Sequence, residues 1–199
     1  VVLNHATVSP EATQEAALRV GKTGAAFLDC PFTGSRDAAA EGKLNYYVGG
    51  EQSIVEQVRA VLDVSAQTIT HLGKIGTATV LKIATNMISA TTVAILSEAL
   101  AICEEGGVEP RKMEQALAVN GCASGLSGMK LPTMLAGDYL PHFSLKNMLK
   151  DANFGLELAG KSGMSLPVLS SAAAAMEEQM DAGRGEKDYS VVYENYRQG

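Results

Sequence analysis

The sequence predicts an α/β layer over residues 1–73 followed by an all-helical part over residues 74–199. Three observations carry that division. Up to residue 73, short apolar runs alternate with segments of helical spacing, the pattern of strands separated by helices. After it, apolar residues recur only at helical spacing, punctuated by Gly106-Gly107 and Pro110. The third is the run over 80–101, whose only formal charges are Lys82 and Glu98, a pattern that predicts a well-buried helix.

Taken in order, residues 1–4 read as the end of a buried strand. Ser9-Pro10-Glu11 caps and opens a helix that carries Ala17, Leu18 and Val20 and stops at the glycines of 21–24. The apolar run at 25–32 reads as one strand, and 44–48 as another, closed by Gly49-Gly50. Ile54, Val55, Val58, Val61 and Leu62 set a helix across 51–62, and 68–72 is the last strand. Helices are then expected at 75–105, from Pro110 to about 120, and at 126–135, 144–162 and 167–180. The alanines at 172–175 suit close helix packing. With Val1 in place of an initiator methionine and no turn ahead of the first strand, the chain reads as a piece of a longer polypeptide.

Composition excludes several classes. The net charge is -6, from 16 basic and 22 acidic residues, with no basic stripe interleaved with aromatics, so nucleic acid is not an expected partner. Cys30, Cys103 and Cys122 are an odd number at unrelated spacings, which suits a reducing compartment, and a cytoplasmic protein is expected. Asn86, Ser89, Thr91, Thr92 and Ser97 join the two charges in interrupting the run at 80–101, which makes it a core helix and not a membrane span. His5, His71 and His142 have no ligand spacing, so no metal is expected.

Four segments carry candidate chemistry. On the long helix, Lys82 precedes Asn86 by one turn, which puts both on one face behind the glycine-containing lead-in Gly73-Lys74-Ile75-Gly76. A lysine removed from water needs a partner or a task, unless its stem lies along apolar surface with the ammonium in solvent. Thr7 follows the first strand, at the sheet edge where α/β proteins bind ligands, or simply leads into the helix that Ser9 caps. Thr33-Gly34-Ser35 offers hydroxyl and backbone donors to a small anion, or is a polar turn. Phe143 and, one helical stretch later, Lys150-Asp151 complete the set; that pair is as readable as two solvated charges.

In this order, the four segments resemble the β-hydroxyacid dehydrogenase family, over essentially the whole chain. Its members include 3-hydroxyisobutyrate dehydrogenase and the glyoxylate/succinic semialdehyde reductases. Asp29-Cys30-Pro31-Phe32-Thr33-Gly34-Ser35 stands where the family carries its substrate loop, and Glu41-Gly42-Lys43-Leu44 and Val48-Gly49-Gly50 follow as in the family. The resemblance implies the C-terminal part of a Rossmann-type dinucleotide-binding domain at 1–73, then an all-α, 6-phosphogluconate-dehydrogenase-like domain at 74–199. It also implies NADP or NAD as cofactor, a small carboxylate-bearing substrate, and a homodimer or homotetramer.

Residue by residue, the resemblance makes Lys82 the proton donor or acceptor and Asn86 its companion. Thr33, Gly34 and Ser35 become the carboxylate anchor, and Thr7, Phe143 and Lys150 the cofactor side. There are departures. Thr33 and Ser35 replace the commoner serine and second glycine, which is nearer the glyoxylate/succinic semialdehyde branch. Ala78 and Thr85 replace a usual glycine and asparagine. No Gly-x-Gly-x-x-Gly occurs in these 199 residues; the resemblance puts that loop ahead of residue 1, and the chain alone is expected to bind cofactor poorly.

Two further readings stand beside this one. Among related enzymes, 6-phosphogluconate dehydrogenase normally has a histidine where Thr85 stands, and imine reductases usually lack the lysine. Alternatively, the helical part is an interaction or dimerisation module without chemistry, built on apolar faces such as Met176 and Met180.

Overall fold

The structure is a computed structural model that describes residues 1–197, and it divides into two compact units, Val1–Thr85 and Asn86–Gly199. In the first unit β1 (Val2–Asn4) pairs in parallel with β2 (Phe27–Asp29). A second sheet has β4 (Leu44–Val48) at its centre, antiparallel to β3 (Phe32–Thr33) and parallel to β5 (Ala66–His71). On β4, Leu44, Tyr46 and Val48 point inward and join Leu28, Cys30, Val55, Val58 and Leu62 in one core. That alternation is the period-two signature of a strand with one buried face.

The single strand expected at 25–32 is two strands. Cys30 still donates its N–H to Asn4 O (2.8 Å), but Pro31 has no N–H to continue the ladder, and its carbonyl accepts from Tyr47 N (2.9 Å). The chain therefore changes partner at Cys30-Pro31, leaving β1 for β4. Asp29 and Gly49 exchange both backbone hydrogen bonds at this crossover, 2.9 and 2.8 Å. A Cβ on Gly49 would lie 2.6 Å from Lys74 O, so only glycine fits.

Helix α1 (Pro10–Gly21) starts as expected, with Ser9 Oγ accepting from Ala12 N at 3.1 Å and Pro10 in the first turn. Helix α3 (Gln52–Leu62) covers the sheet core with Val55, Val58 and Leu62. Between them lies α2 (Arg36–Ala40), which was not expected. It is a single turn and a half capped by Ser35, too short to show apolar periodicity.

Helix α4 (Thr77–Glu105) begins in the first unit and continues into the second. At 29 residues it is about 43 Å long at the usual rise. It is half-buried, which corrects the expectation of a well-buried helix. Ala90, Val93, Leu96 and Leu100 pack inward, while Ile88, Ile95 and Ile102 are 58–74% exposed on the opposite face. Among the described residues it is the one helix long and apolar enough to cross a membrane by length and hydropathy.

The rest of the second unit is α5 (Pro110–Ala118), α6 (Gly125–Ala136), α7 (Leu145–Lys161), α8 (Pro167–Asp181) and a 3₁₀ helix at Tyr189–Asn195 that the sequence did not signal. Its larger core gathers Ala90 and Val93, Leu145, Met148 and Ala152, Leu169, Ala173 and Met176, with Tyr189 and Val192. Ala172 and Ala173 are the buried pair of the four-alanine run, and Met176 is core. A second cluster joins Leu96 and Leu100 to Leu131, Met134 and Tyr193.

Candidate functional site

In the first unit the site begins with a carboxylate, that of Asp29 in the Asp29–Ser35 motif. Asp29 ends β2 and is fully buried. Its Oδ2 accepts from Gly76 N (3.0 Å) and Thr79 N (2.9 Å), and its Oδ1 from Thr79 Oγ1 (2.8 Å). These amides belong to the lead-in and first turn of α4, where backbone donors have no helical partner and the dipole favours negative charge. Thr79 Oγ1 is in turn 3.1 Å from Thr13 Oγ1 of α1. The start of α4 is thereby fixed to β2 and α1, and with it Lys82, half-buried about one turn along.

Thr7 lies half-buried in the loop after β1. The same loop is held to β2 by His5, whose Nδ1 is 2.7 Å from Cys30 O and whose ring tilts against Tyr46 at 5.5 Å between centroids. Thr33 is the last residue of β3, opposite Asn45. Gly34 has a φ of 145°, and a Cβ there would meet Leu44 Cδ2 at 2.8 Å, so the turn between the two hydroxyl residues admits only glycine. Ser35 Oγ accepts from Ala38 N at 3.2 Å as the cap of α2. That bond uses a lone pair and leaves the hydroxyl proton available to donate. Below this loop, burial and the neighbouring Asp29 carboxylate push the Cys30 thiol up to about 12, so it is an inert core group.

In the second unit Asn86 is buried and donates Nδ2 to Asp151 Oδ2 at 2.6 Å. Asp151 has no exposure at all, and its Oδ1 lies 2.8 Å from Lys150 Nζ. The Lys150 side chain is 43% exposed and passes over the Phe154 ring at 5.2 Å. The reading of Lys150-Asp151 as two solvated charges is therefore corrected: the carboxylate is internal and ties Asn86 to Lys150. The burial of Asp151 has a signal in the sequence. On α7 it sits among Met148, Ala152 and Gly155, positions at helical spacing that form the buried face.

Phe143 precedes α7, half-buried, with its ring edge-on to Tyr189 at 6.5 Å and 81°. Each unit thus holds part of the candidate set: Thr7, Thr33, Gly34, Ser35 and Lys82 in the first, Asn86, Phe143 and Lys150 in the second. Among the described residues, no group of three or more histidine, cysteine or acidic side chains could hold a metal ion.

Two family sequence models match the chain. Residues 1–73 match the NAD binding domain of 6-phosphogluconate dehydrogenase, and residues 76–196, more than half of the chain, match the NAD-binding domain of NADP-dependent 3-hydroxyisobutyrate dehydrogenase. The chain belongs to the β-hydroxyacid dehydrogenase family. It combines a Rossmann-type part with a helical part, and both family models that match it are described as NAD-binding.

This family member is 26% identical over 176 residues to glyoxylate/succinic semialdehyde reductase 2, chloroplastic, of Arabidopsis thaliana, covering 88% of the chain and 49% of that protein. It is 27% identical over 199 residues to 2-(hydroxymethyl)glutarate dehydrogenase of Eubacterium barkeri, covering 100% of the chain and 66% of the relative. The chain thus spans half to two-thirds of the length of these relatives. Among solved structures, 3-hydroxyisobutyrate dehydrogenase from Salmonella typhimurium shares the fold with a TM-score of 0.92 at 23% identity, over 98% of this chain and 69% of that one.

Proposed function

We propose that the protein carrying this chain is an NAD(P)-dependent oxidoreductase that interconverts a small hydroxy acid and its aldehyde or keto acid. The observation that carries the proposal is Asn86 bonded to a fully buried carboxylate, on the same helix as Lys82 and one turn after it. A structural helix has no need of a buried amide–carboxylate pair so close to a lysine, since such groups cost free energy unless satisfied. Membership of a family with NAD-binding domains supplies the context.

The groups present suit a dinucleotide. Thr7 follows the carboxyl end of a parallel strand, where open α/β sheets take ligands, and Lys150 brings positive charge on a partly exposed side chain paired with Asp151. In the proposal, Thr7, Phe143 and Lys150 hold the cofactor, which supplies or accepts hydride when bound. Lys82 gives a proton to the carbonyl oxygen during reduction and takes it back in the reverse direction. Asn86 orients the reacting oxygen or the lysine. Thr33, Gly34 and Ser35 anchor the substrate carboxylate, the Ser35 hydroxyl donating to it while its oxygen accepts the cap bond from Ala38.

Within that class the proposed substrate is a short semialdehyde or glyoxylate, reduced with NADPH, because the Thr-Gly-Ser loop is nearer that branch. A homodimer or homotetramer in the cytoplasm belongs to the same proposal. The test is NADPH oxidation with glyoxylate and succinic semialdehyde, and NADP+ reduction with 3-hydroxyisobutyrate-type hydroxy acids, by wild type and Lys82→Ala. Loss of turnover with cofactor affinity retained supports the reading. Near-normal turnover by the variant overturns the role of Lys82.

A further inference from the structure

The second unit contains a buried ion pair that the proposed chemistry does not use. Lys130 on α6 and Asp188, just before the 3₁₀ helix, are each 2% exposed, with Nζ 2.7 and 2.8 Å from the two carboxylate oxygens. The ammonium also lies 4.4 Å over the Tyr189 ring. Taking both charges from water is costly, and an apolar pair of similar volume is often no less stable. Stability alone is therefore a poor reason for this pair.

Its hydrogen bonds converge on one loop. Asp188 Oδ2 accepts from the backbone of His142 (3.0 Å) and Phe143 (3.2 Å), while Oδ1 takes the Ser190 amide and hydroxyl. Asp188 N donates to Tyr139 O and Tyr189 N to Phe143 O, at 2.9 and 3.1 Å. Phe143 is thus held by its N–H, its carbonyl and its ring, and each restraint leads to Asp188 or Tyr189. A carboxylate can receive this many donors only while ionised, and the nearby ammonium is what keeps it so.

We infer that Lys130 and Asp188 are positioning residues, which fix the loop ahead of α7 so that Phe143 is presented in one conformation to the cofactor. The inference rests on the proposed function for its cofactor side; the restraint on the loop stands on the geometry.

The test compares Asp188→Asn, Lys130→Met and Lys130→Arg with Leu100→Ala, a destabilising control in the separate core cluster. Hydrogen exchange is followed over residues 139–146, together with KM for NADPH, kcat and Tm. The first two variants are expected to speed exchange in that loop at least tenfold. KM for NADPH should rise about tenfold, with kcat within threefold of wild type. Lys130→Arg should restore most of both, and Leu100→Ala should change neither despite a lowered Tm. Exchange that stays at the wild-type rate, or rises equally in the control, overturns the inference. If Lys130→Met does not fold, Asp188→Asn decides. If the wild-type protein carrying this chain binds neither NADPH nor NADH, the proposed function and the cofactor side of this inference are overturned, and loop exchange then decides the remainder.

Discussion

Asn86 donates its amide Nδ2 to Asp151 Oδ2 at 2.6 Å, inside a region from which solvent is excluded. With the amide nitrogen facing Asp151, the Asn86 carbonyl oxygen faces elsewhere. The side chain thus has its carbonyl oxygen available to accept from other neighbours. That suits a residue that receives a proton-bearing group, such as an ammonium or a substrate hydroxyl.

The pair should show energetic coupling. Asp151→Leu strands the buried amide and should destabilise the protein by about 1–3 kcal/mol. Asn86→Leu and the double variant complete a cycle, and urea unfolding should give an interaction energy of about 0.5–3 kcal/mol. Additive losses would show that the contact is incidental.

Replacing Lys82 by alanine should cut kcat by about 10²–10⁴-fold, the usual contribution of a positioned acid–base group. The affinity for NADPH, measured by fluorescence titration, should change little. A parallel collapse of both would mean that the lysine supports the fold.

The cysteines should separate by reactivity. Cys30 is buried with its thiol raised to about 12, whereas Cys122 is exposed. At pH 8, iodoacetamide followed by peptide mass analysis should label Cys122 and spare Cys30 until the protein is unfolded.

Acid should act on Asp188. Burial opposes its ionisation, but the Lys130 ammonium and the Ser190 hydroxyl and amide outweigh that and hold the carboxyl below its ordinary 3.8. A carboxyl with a depressed folded pKa adds stability that is present above the unfolded value and lost as pH falls through the folded one. Between about pH 4 and pH 2, Asp188→Asn should flatten the decline in unfolding free energy seen in wild type. An equally steep decline in the variant would assign the acid limb to other carboxyls.

Gly49→Ala should be costly. The added methyl would meet the carbonyl oxygen of Lys74 at 2.6 Å and its carbon at 3.3 Å, both backbone atoms with little room to move. A loss of about 1–3 kcal/mol by urea titration is expected from overpacking of this kind.

Much of the fold was legible because its signals are local. Ser9-Pro10, Glu109-Pro110 and Leu166-Pro167 mark three helix starts, and the apolar spacing of Val55, Val58 and Leu62 marks the face that α3 buries. What escaped depends on distant partners. Pro31 hid the change of sheet partner, because a continuous apolar run looks the same on either side of it. The 3₁₀ helix at Tyr189–Asn195 has no period of its own and is anchored through Asp188 to residues some forty-five positions earlier. The exposed face of α4 was misread because Ile88, Ile95 and Ile102 are apolar whether or not anything covers them. In the candidate site, Lys82 and Asn86 stood out by charge and spacing. Asp29 did not, because the donors that satisfy it lie some fifty positions further along the chain.

The carboxylate at the end of β2 has a consequence for anyone who would dissect this chain. The two matched family regions meet between residues 73 and 76, which invites excision at that point. Such a cut would part Asp29 from the amides of Gly76 and Thr79. The upstream fragment would keep an acid in its interior with no donors, and the downstream fragment would begin with a fraying helix. The apparent seam in the sequence is thus a stitch in the molecule, and fragments prepared on either side of it should each be less soluble and less ordered than the intact chain.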